Sequence, residues 1–284
     1  MLFEFWFMLP VAILIATIAM GSGVEGATFF SPFFMIVLGL DPTTAIGVGL
    51  ITEVFGFGSG LYAYYNRGAI DYRMGGELLM ITVPAALFGV WVAHFVPADI
   101  LKAILGMGLV IVAISFLRTP DDDLEQQLDA RAQQPKERAE RCLVTTDGTQ
   151  HCYTVFNRSE GLLTGGIGGT FIGMLSTGLG ELNGYLLLQR CRIPSTVAIA
   201  TSVFVVAVTA LAASVTHAVQ LATADAEAFN QVLRILLFTV PGVLVGGQLG
   251  PAVATRIPDE TLERSMGVLF LLVAAIVIAD AALM

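Results

Sequence analysis

The chain is short of charge. Asp, Glu, Lys and Arg together make up 13% of its residues, about half the share usual in soluble domains. So little charge cannot clothe a water-facing surface, which excludes an ordinary soluble domain. The 14 basic residues form no patch, so no face suits a nucleic-acid backbone. Three cysteines, Cys142, Cys152 and Cys191, are too few for a disulfide scaffold. No group of His, Cys, Asp or Glu has metal-ligand spacing, and no nucleophile stands beside a base. Neither a metal, nor a cofactor, nor an enzyme is expected. Residues 1–20 lack a basic leader region, carry Glu4 instead, and end without a small-x-small cleavage site. They read as a first membrane segment rather than a cleaved signal.

What the chain has in quantity is apolar sequence, 56% of its residues, arranged in runs. Residues 3–20, 43–65, 74–96, 99–117, 195–221, 232–254 and 261–282 are long enough, at about 1.5 Å per residue, to cross or nearly cross a hydrocarbon core of about 30 Å. Residues 27–40, 162–175 and 182–189 are shorter apolar pieces. The expected class is all-α, a polytopic transmembrane bundle.

Two polar, glycine-rich breaks interrupt this pattern: Gly21-Ser22-Gly23-Val24-Glu25-Gly26 and Ser176-Thr177-Gly178-Leu179-Gly180-Glu181. Non-helical backbone at membrane depth survives only when buried in protein or lining a watery cavity. Glycine-interrupted segments at matching places in two halves point to the substrate site of a secondary transporter. The halves do match. Thr82-Val83-Pro84…Gly89 parallels Thr239-Val240-Pro241…Gly246; Pro97…Leu101 with Gly106 parallels Pro258…Leu262 with Gly267; Pro42-Thr43-Thr44 parallels Pro194-Ser195-Thr196. We therefore divide the chain into a first repeat (1–118), a polar linker (119–160) and a second repeat (161–284). Each repeat is a broken, re-entrant hairpin followed by three spans.

If each break is a hairpin tip, Arg67, Arg73, Arg118, the linker bases, Arg190, Arg192, Arg256 and Arg264 fall on one side. Glu4, Asp41, Asp99, Asp225, Glu227 and Asp280 fall on the other, with Lys102 and Arg234 as exceptions. The positive-inside rule makes the first side cytoplasmic. The termini are then periplasmic, the linker is cytoplasmic, the membrane is the inner membrane, and an odd number of segments per half makes the repeats inverted. Within the linker, Thr146-Asp147-Gly148-Thr149 predicts a hairpin around an Asp-Gly turn. It would bring Cys142 and Cys152 together with His151 alongside. A cytoplasmic linker is expected to keep both thiols reduced; a redox or metal role is the alternative.

A helix that begins in mid-membrane presents unpaired N–H groups and a partial positive charge. Two such starts facing one another suit an anion. The candidate substrate contacts are Ser22, Gly23, Gly26, Thr177, Gly178, Gly180 and Asn183 at the breaks, with Ser176 beside them and Thr201 and Ser202 in a later span. Close helix packing is the competing explanation for glycines, and it serves for Gly56, Gly58, Gly60 and those in 165–173. Glu25, Glu53 and Glu181 stand in or beside apolar sequence, where a carboxylate is costly. They are the proton-coupling candidates, although Glu25 and Glu181 could instead cap their own short helices. Pro84 and Pro241 are expected to kink equivalent spans and act as hinges. His94 and His217 read as interfacial residues, and Arg234 as a snorkelling base that could also draw anions to the outer mouth.

These residues resemble the TauE/SafE-type sulfite exporters, a group of anion permeases. Gly23-Val24-Glu25-Gly26-Ala27 through Pro32, then Pro42…Ala45, resembles the first copy of the family's glycine-rich break and following stretch. Gly178-Leu179-Gly180-Glu181, then Pro194…Ala200-Thr201-Ser202, resembles the second, and Asn66-Arg67-Gly68-Ala69-Ile70-Asp71 resembles the family's Arg-x-Gly-x-Ile-Asp turn. Two departures stand out: Glu25 replaces a glycine, and Gly49-Leu50 stands where the first half should carry Thr-Ser. The resemblance implies a permease for a small sulfur-containing or organic anion such as sulfite or a sulfonate, whose partners are that anion, the bilayer and a proton. The rival from the residues themselves is a carboxylate-lined carrier for a cationic or zwitterionic molecule. A passive channel and a membrane enzyme follow behind.

Overall fold

The computed structural model describes residues 4–22, 25–117, 141–155, 157–178, 180, 182–183, 186–187, 191, 193–224, 226–254 and 259–283. Among them the helices are α1 (Met8–Ser22), α2 (Ala27–Ile36), α3 (Pro42–Arg67), α4 (Tyr72–Ala93), α5 (Ala98–Leu117), α6 (Arg158–Leu175), α7 (Ser195–Ala224), α8 (Ala226–Ala254) and α9 (Asp259–Leu283). Four of these, α3, α4, α7 and α8, are long and apolar enough to cross a bilayer. The membrane portion is all-α, as its hydropathy pattern predicts.

Local chemistry sets the helix ends. Asp41 accepts from the Thr43 amide at 3.1 Å, and Pro42 occupies the first turn of α3, where no amide partner is needed. At the far end Gly68 closes the helix in the left-handed region, at φ 64°. Asp71 starts α4 by accepting from the amides of Arg73 and Met74, each at 3.0 Å. Pro84 and Pro241 lie inside α4 and α8, both at exposed positions, and neither helix is interrupted. Exposed aromatics mark two levels: Trp91 and Phe95 at the end of α4, and Tyr62, Tyr65 and Tyr72 around the turn between α3 and α4. That is the distribution expected at the two membrane–water interfaces.

The halves interleave rather than stand side by side. α1 packs on α8, α4 on α6, α5 on α9 and α3 on α7, with α4–α7 and α3–α8 completing the set. Lipid offers no hydrophobic drive between helices, so close backbone approach has to supply it. A Cβ on Gly173 would lie 2.0 Å from the Ala86 carbonyl oxygen, and one on Gly89 2.2 Å from that of Thr170. On the matching α1–α8 crossing, a Cβ on Gly246 would lie 2.5 Å from the Ile13 oxygen. Gly89 and Gly246 are the glycines that close the matched Thr-Val-Pro stretches. The prolines' neighbours match as well: Thr82 bonds Thr209 at 2.9 Å, and Thr239 bonds Thr52 at 3.3 Å. Gly56 and Gly58 depart from the packing expectation, since each faces open space.

The linker carries β1 (Arg141–Val144) and β2 (Gln150–Tyr153), antiparallel about the Asp147-Gly148 turn with Gly148 at φ 86°. Cys142 and Cys152 face one another, Cα to Cα 4.1 Å, and are joined in a disulfide. This corrects the expectation of reduced thiols. The turn fixes a register that sets the two residues directly opposite, with their sulfurs within bonding reach.

Candidate functional site

The two breaks meet. Thr28, in the first turn of α2, shares a hydrogen bond with Thr177 at 2.7 Å, and one turn on Ser31 meets Ser176 at 2.5 Å. The Ser176 hydroxyl donates to the Leu175 carbonyl, 2.6 Å away, so Ser31 supplies the proton between the two serines. Ser176 ends α6 in the left-handed region, at φ 60°, which turns the chain sharply at this depth. All four hydroxyl residues are buried.

A carboxylate sits at each helix start. Glu25, 2% exposed, accepts from the Gly178 amide at 3.0 Å and from the Gly180 amide. Glu53, 3% exposed, places Oε1 3.1 Å from the Ala27 amide at the start of α2. Glu25 therefore reaches across to the other half's break. Gly180 permits this, because a Cβ there would lie 2.6 Å from Glu25 Oε1. Beside Glu53, Gly26, Phe30, Thr52 and Gly56 line a cavity of about 20 Å³, room for one water-sized solute. Asn183 is fully buried, and among the described residues neither its amide nitrogen nor its oxygen has a partner. Backbone amides and hydroxyls gathered in this way are the kind of donors an anion takes.

Not every predicted contact joins this cluster. The side chain of Ser22, and Gly23 and Glu181 entirely, lie outside the described residues. Gly26 precedes α2 in helical conformation. Thr201 is committed elsewhere, its hydroxyl accepting from the Asp71 amide at 3.0 Å, and Ser202 is buried beside it. His217 is not interfacial. It is buried and donates from Nε2 to the Gly173 carbonyl at 3.1 Å, on the wall of an apolar cavity of about 460 Å³ that Thr43, Gly47, Val54, His94 and Leu236 also line. Arg234 bonds a carbonyl of its own helix, that of Asn230.

The sequence pattern of the family described as "Sulfite exporter TauE/SafE" matches residues 8–277. The chain belongs to the TauE/SafE family. Among curated proteins it is 24% identical over 262 residues to "Probable membrane transporter protein YunE" of Bacillus subtilis (strain 168), covering 90% of this chain and 89% of that one. "Probable membrane transporter protein YjnA" of the same organism is 25% identical over 245 residues, covering 83% and 86%. "Probable membrane transporter protein ORF9" of a Sinorhizobium species is 30% identical over 93 residues, 32% of this chain and 36% of that one. No solved structure matches the chain. This TauE/SafE protein is accordingly a multi-pass membrane transporter and not an enzyme.

Within this family member, sequence reasoning missed three groups. Thr28 and Ser31 read as filler in an apolar run, and only their partners on the far break give them a role. Gly49, where the first half lacks its Thr-Ser, is explained by Ser31: a Cβ there would lie 2.3 Å from the Ser31 hydroxyl. The third group surrounds Asp71 at the end of the family-like turn. Its Oδ2 accepts from Arg141 at 2.7 Å and from the Tyr153 hydroxyl at 2.9 Å, and Arg141 also reaches Glu77 at 3.2 Å. Burial alone would raise the Asp71 pKa. The Met74 amide, Arg141, Tyr153 and the guanidinium charge outweigh it and hold the carboxyl below its ordinary value. Burial, with the Asp71 charge beside it, pushes the Tyr153 phenol up.

Proposed function

We propose that this chain is a secondary transporter of a small sulfur-containing or organic anion, such as sulfite or a sulfonate, coupled to a proton through Glu25. The observation that carries the reading is the Glu25 carboxylate on the amides of Gly178 and Gly180. Those amides are the donors an incoming anion needs, and a resident carboxylate opposes a second negative charge in the same place. Protonating Glu25 removes the charge and weakens its hold, so proton and anion enter as a pair. Gly178, Gly180, Thr177 and Asn183 then contact the substrate, with Gly26 on the facing break. Asn183 recovers hydrogen bonds that its buried amide otherwise forgoes, a gain of about 1–3 kcal/mol. Glu53 plays the corresponding part at α2.

The exchange of packing partners between halves supports two inverted repeats that rock about this centre, with Pro84 and Pro241 as hinges. The end carrying Arg67 and the hairpin is the cytoplasmic one by its bases, in an inner membrane. The cationic-substrate reading is the weaker one, because Glu25 and Glu53 are turned onto backbone amides.

Counterflow in proteoliposomes tests the proposal. Labelled sulfite or a small sulfonate exchanges, and Glu25→Gln keeps the exchange while flattening its pH dependence and abolishing proton-driven accumulation. Exchange of labelled cations without competition from anions overturns it, as does an unchanged pH profile in Glu25→Gln.

A further inference from the structure

The Asp71 cluster lies at one end of the bundle, away from the two breaks, and the transport reading leaves it without a task. Two adjacent rungs of the hairpin make it. On one, Arg141 faces Tyr153, and both donate to the same Asp71 oxygen. On the next, Cys142 faces Cys152 and the two are bonded. Asp71 starts α4 in the first half, and its amide donates to Thr201 of α7 in the second. β2 runs within a few residues into α6, the second half's first helix, while the Thr146 amide holds the Arg67 carbonyl at 3.0 Å. The hairpin is thus a clasp between the halves.

Two four-residue strands are marginal alone, and a one-residue slip would turn Arg141 and Tyr153 to opposite faces of the pair. The disulfide prevents that slip on the rung next to them. Cys142 is exposed and Cys152 is buried, so an incoming thiolate can reach one sulfur and not the other.

We propose that Cys142–Cys152 is a reversible dithiol–disulfide site that locks the two halves together at this end when oxidised and releases them when reduced. A dithiol reductant attacks the Cys142 sulfur, forms a mixed disulfide and expels the Cys152 thiolate. Its second thiol then attacks that bond, leaving two protein thiols and an oxidised reductant, so two electrons and two protons pass to the protein. A small-molecule or protein disulfide reverses the exchange. That this chemistry is regulatory and not permanent rests on the cytoplasmic placement proposed above, since cytosolic disulfides are mostly transient. The test needs no transport, so its failure is distinct from failure of the anion reading.

Full-length protein in detergent micelles is equilibrated with reduced or oxidised dithiothreitol, denatured and trapped with a maleimide. The reduced form labels all three cysteines and the oxidised form Cys191 alone. Hydrogen exchange at the amides of Arg73 and Met74 and along β1 and β2 is expected to be about tenfold faster after reduction, the worth of one charge-assisted hydrogen bond, with the α5–α9 interface unchanged. The double variant Cys142→Ser, Cys152→Ser exchanges like the reduced form in either buffer. Arg141→Gln keeps the disulfide but exchanges fast even when oxidised. In growing cells quenched with acid, the two cysteines are reduced and become joined after diamide. Equal exchange in the two redox forms overturns the proposal, and so does a bond already complete in unstressed cells.

Discussion

Two buried carboxylates in this molecule do superficially the same thing. Asp71 accepts from the amides of Arg73 and Met74 at the start of α4, and Glu25 accepts from those of Gly178 and Gly180 at the second break. The difference lies in what else each touches. Asp71 is tied to the Arg141 guanidinium at 2.7 Å and to a phenol, a full positive charge and a donor that hold it ionised. Glu25 reaches 153 residues along the chain to donors that are neutral and that a solute anion could use equally well. A carboxylate locked by charge is structural. One held by backbone amides of the other half shares its donors with any anion that reaches the meeting point of the two breaks.

Exchanging each for its amide breaks the comparison most directly. Asp71→Asn takes from the buried Arg141 the nearer of its two carboxylates and leaves Glu77 at 3.2 Å, a loss of about 2–3 kcal/mol. We expect it as a lowered unfolding midpoint in detergent together with undocking of the hairpin, and no change in the pH profile of transport. Glu25→Gln keeps one good acceptor for two amides and costs about 1–2 kcal/mol, yet it removes the pH dependence. Equal stability losses, or a pH effect shared by both variants, would erase the distinction.

A smaller effect tests whether the breaks are held together by their hydroxyls. Gly49→Ala puts a methyl 2.3 Å from the Ser31 oxygen and turns it away from Ser176, at an expected cost of about 2 kcal/mol. Ser31→Ala alone costs about 1 kcal/mol. The double variant is expected to be more stable than Gly49→Ala, a coupling measurable in a thermodynamic cycle. Additive losses would mean that the two positions do not share space.

Much of this was legible beforehand. Asp41-Pro42 and the Asn66–Asp71 turn announce helix starts by residue type alone. The matched Thr-Val-Pro…Gly stretches point to a duplication, and the two polar breaks in apolar sequence are segments that the structure brings into contact. Which carboxylate serves which break was not legible, because spacing carries no information about a contact 153 residues long. For the same reason Asp71 could be read as part of a turn, but its pairing with Arg141 and Tyr153 could not. The Asp147-Gly148 turn brought Cys142 and Cys152 together correctly. Their bonded state does not follow from sequence, since thiols and a disulfide fit the same register.

The smallest expected effect is that of pH on the clasp. The Asp71 pKa lies below the ordinary 3.8, so its contribution to stability is complete above that value and is lost only as pH falls through the depressed one. The Tyr153 pKa lies above the ordinary 10.0, so its contribution is complete below 10.0 and fades only in stronger alkali. Between about pH 5 and pH 9 both groups therefore keep their native protonation, and amide protection in β1 and β2, corrected for intrinsic exchange, is expected to stay level. Any pH dependence of transport inside that window then has its origin away from the clasp, and Glu25 is the group its contacts single out. Protection that falls between pH 5 and pH 9 would instead put a titrating group within the clasp itself, and a pH dependence of transport could then no longer be assigned to Glu25 alone.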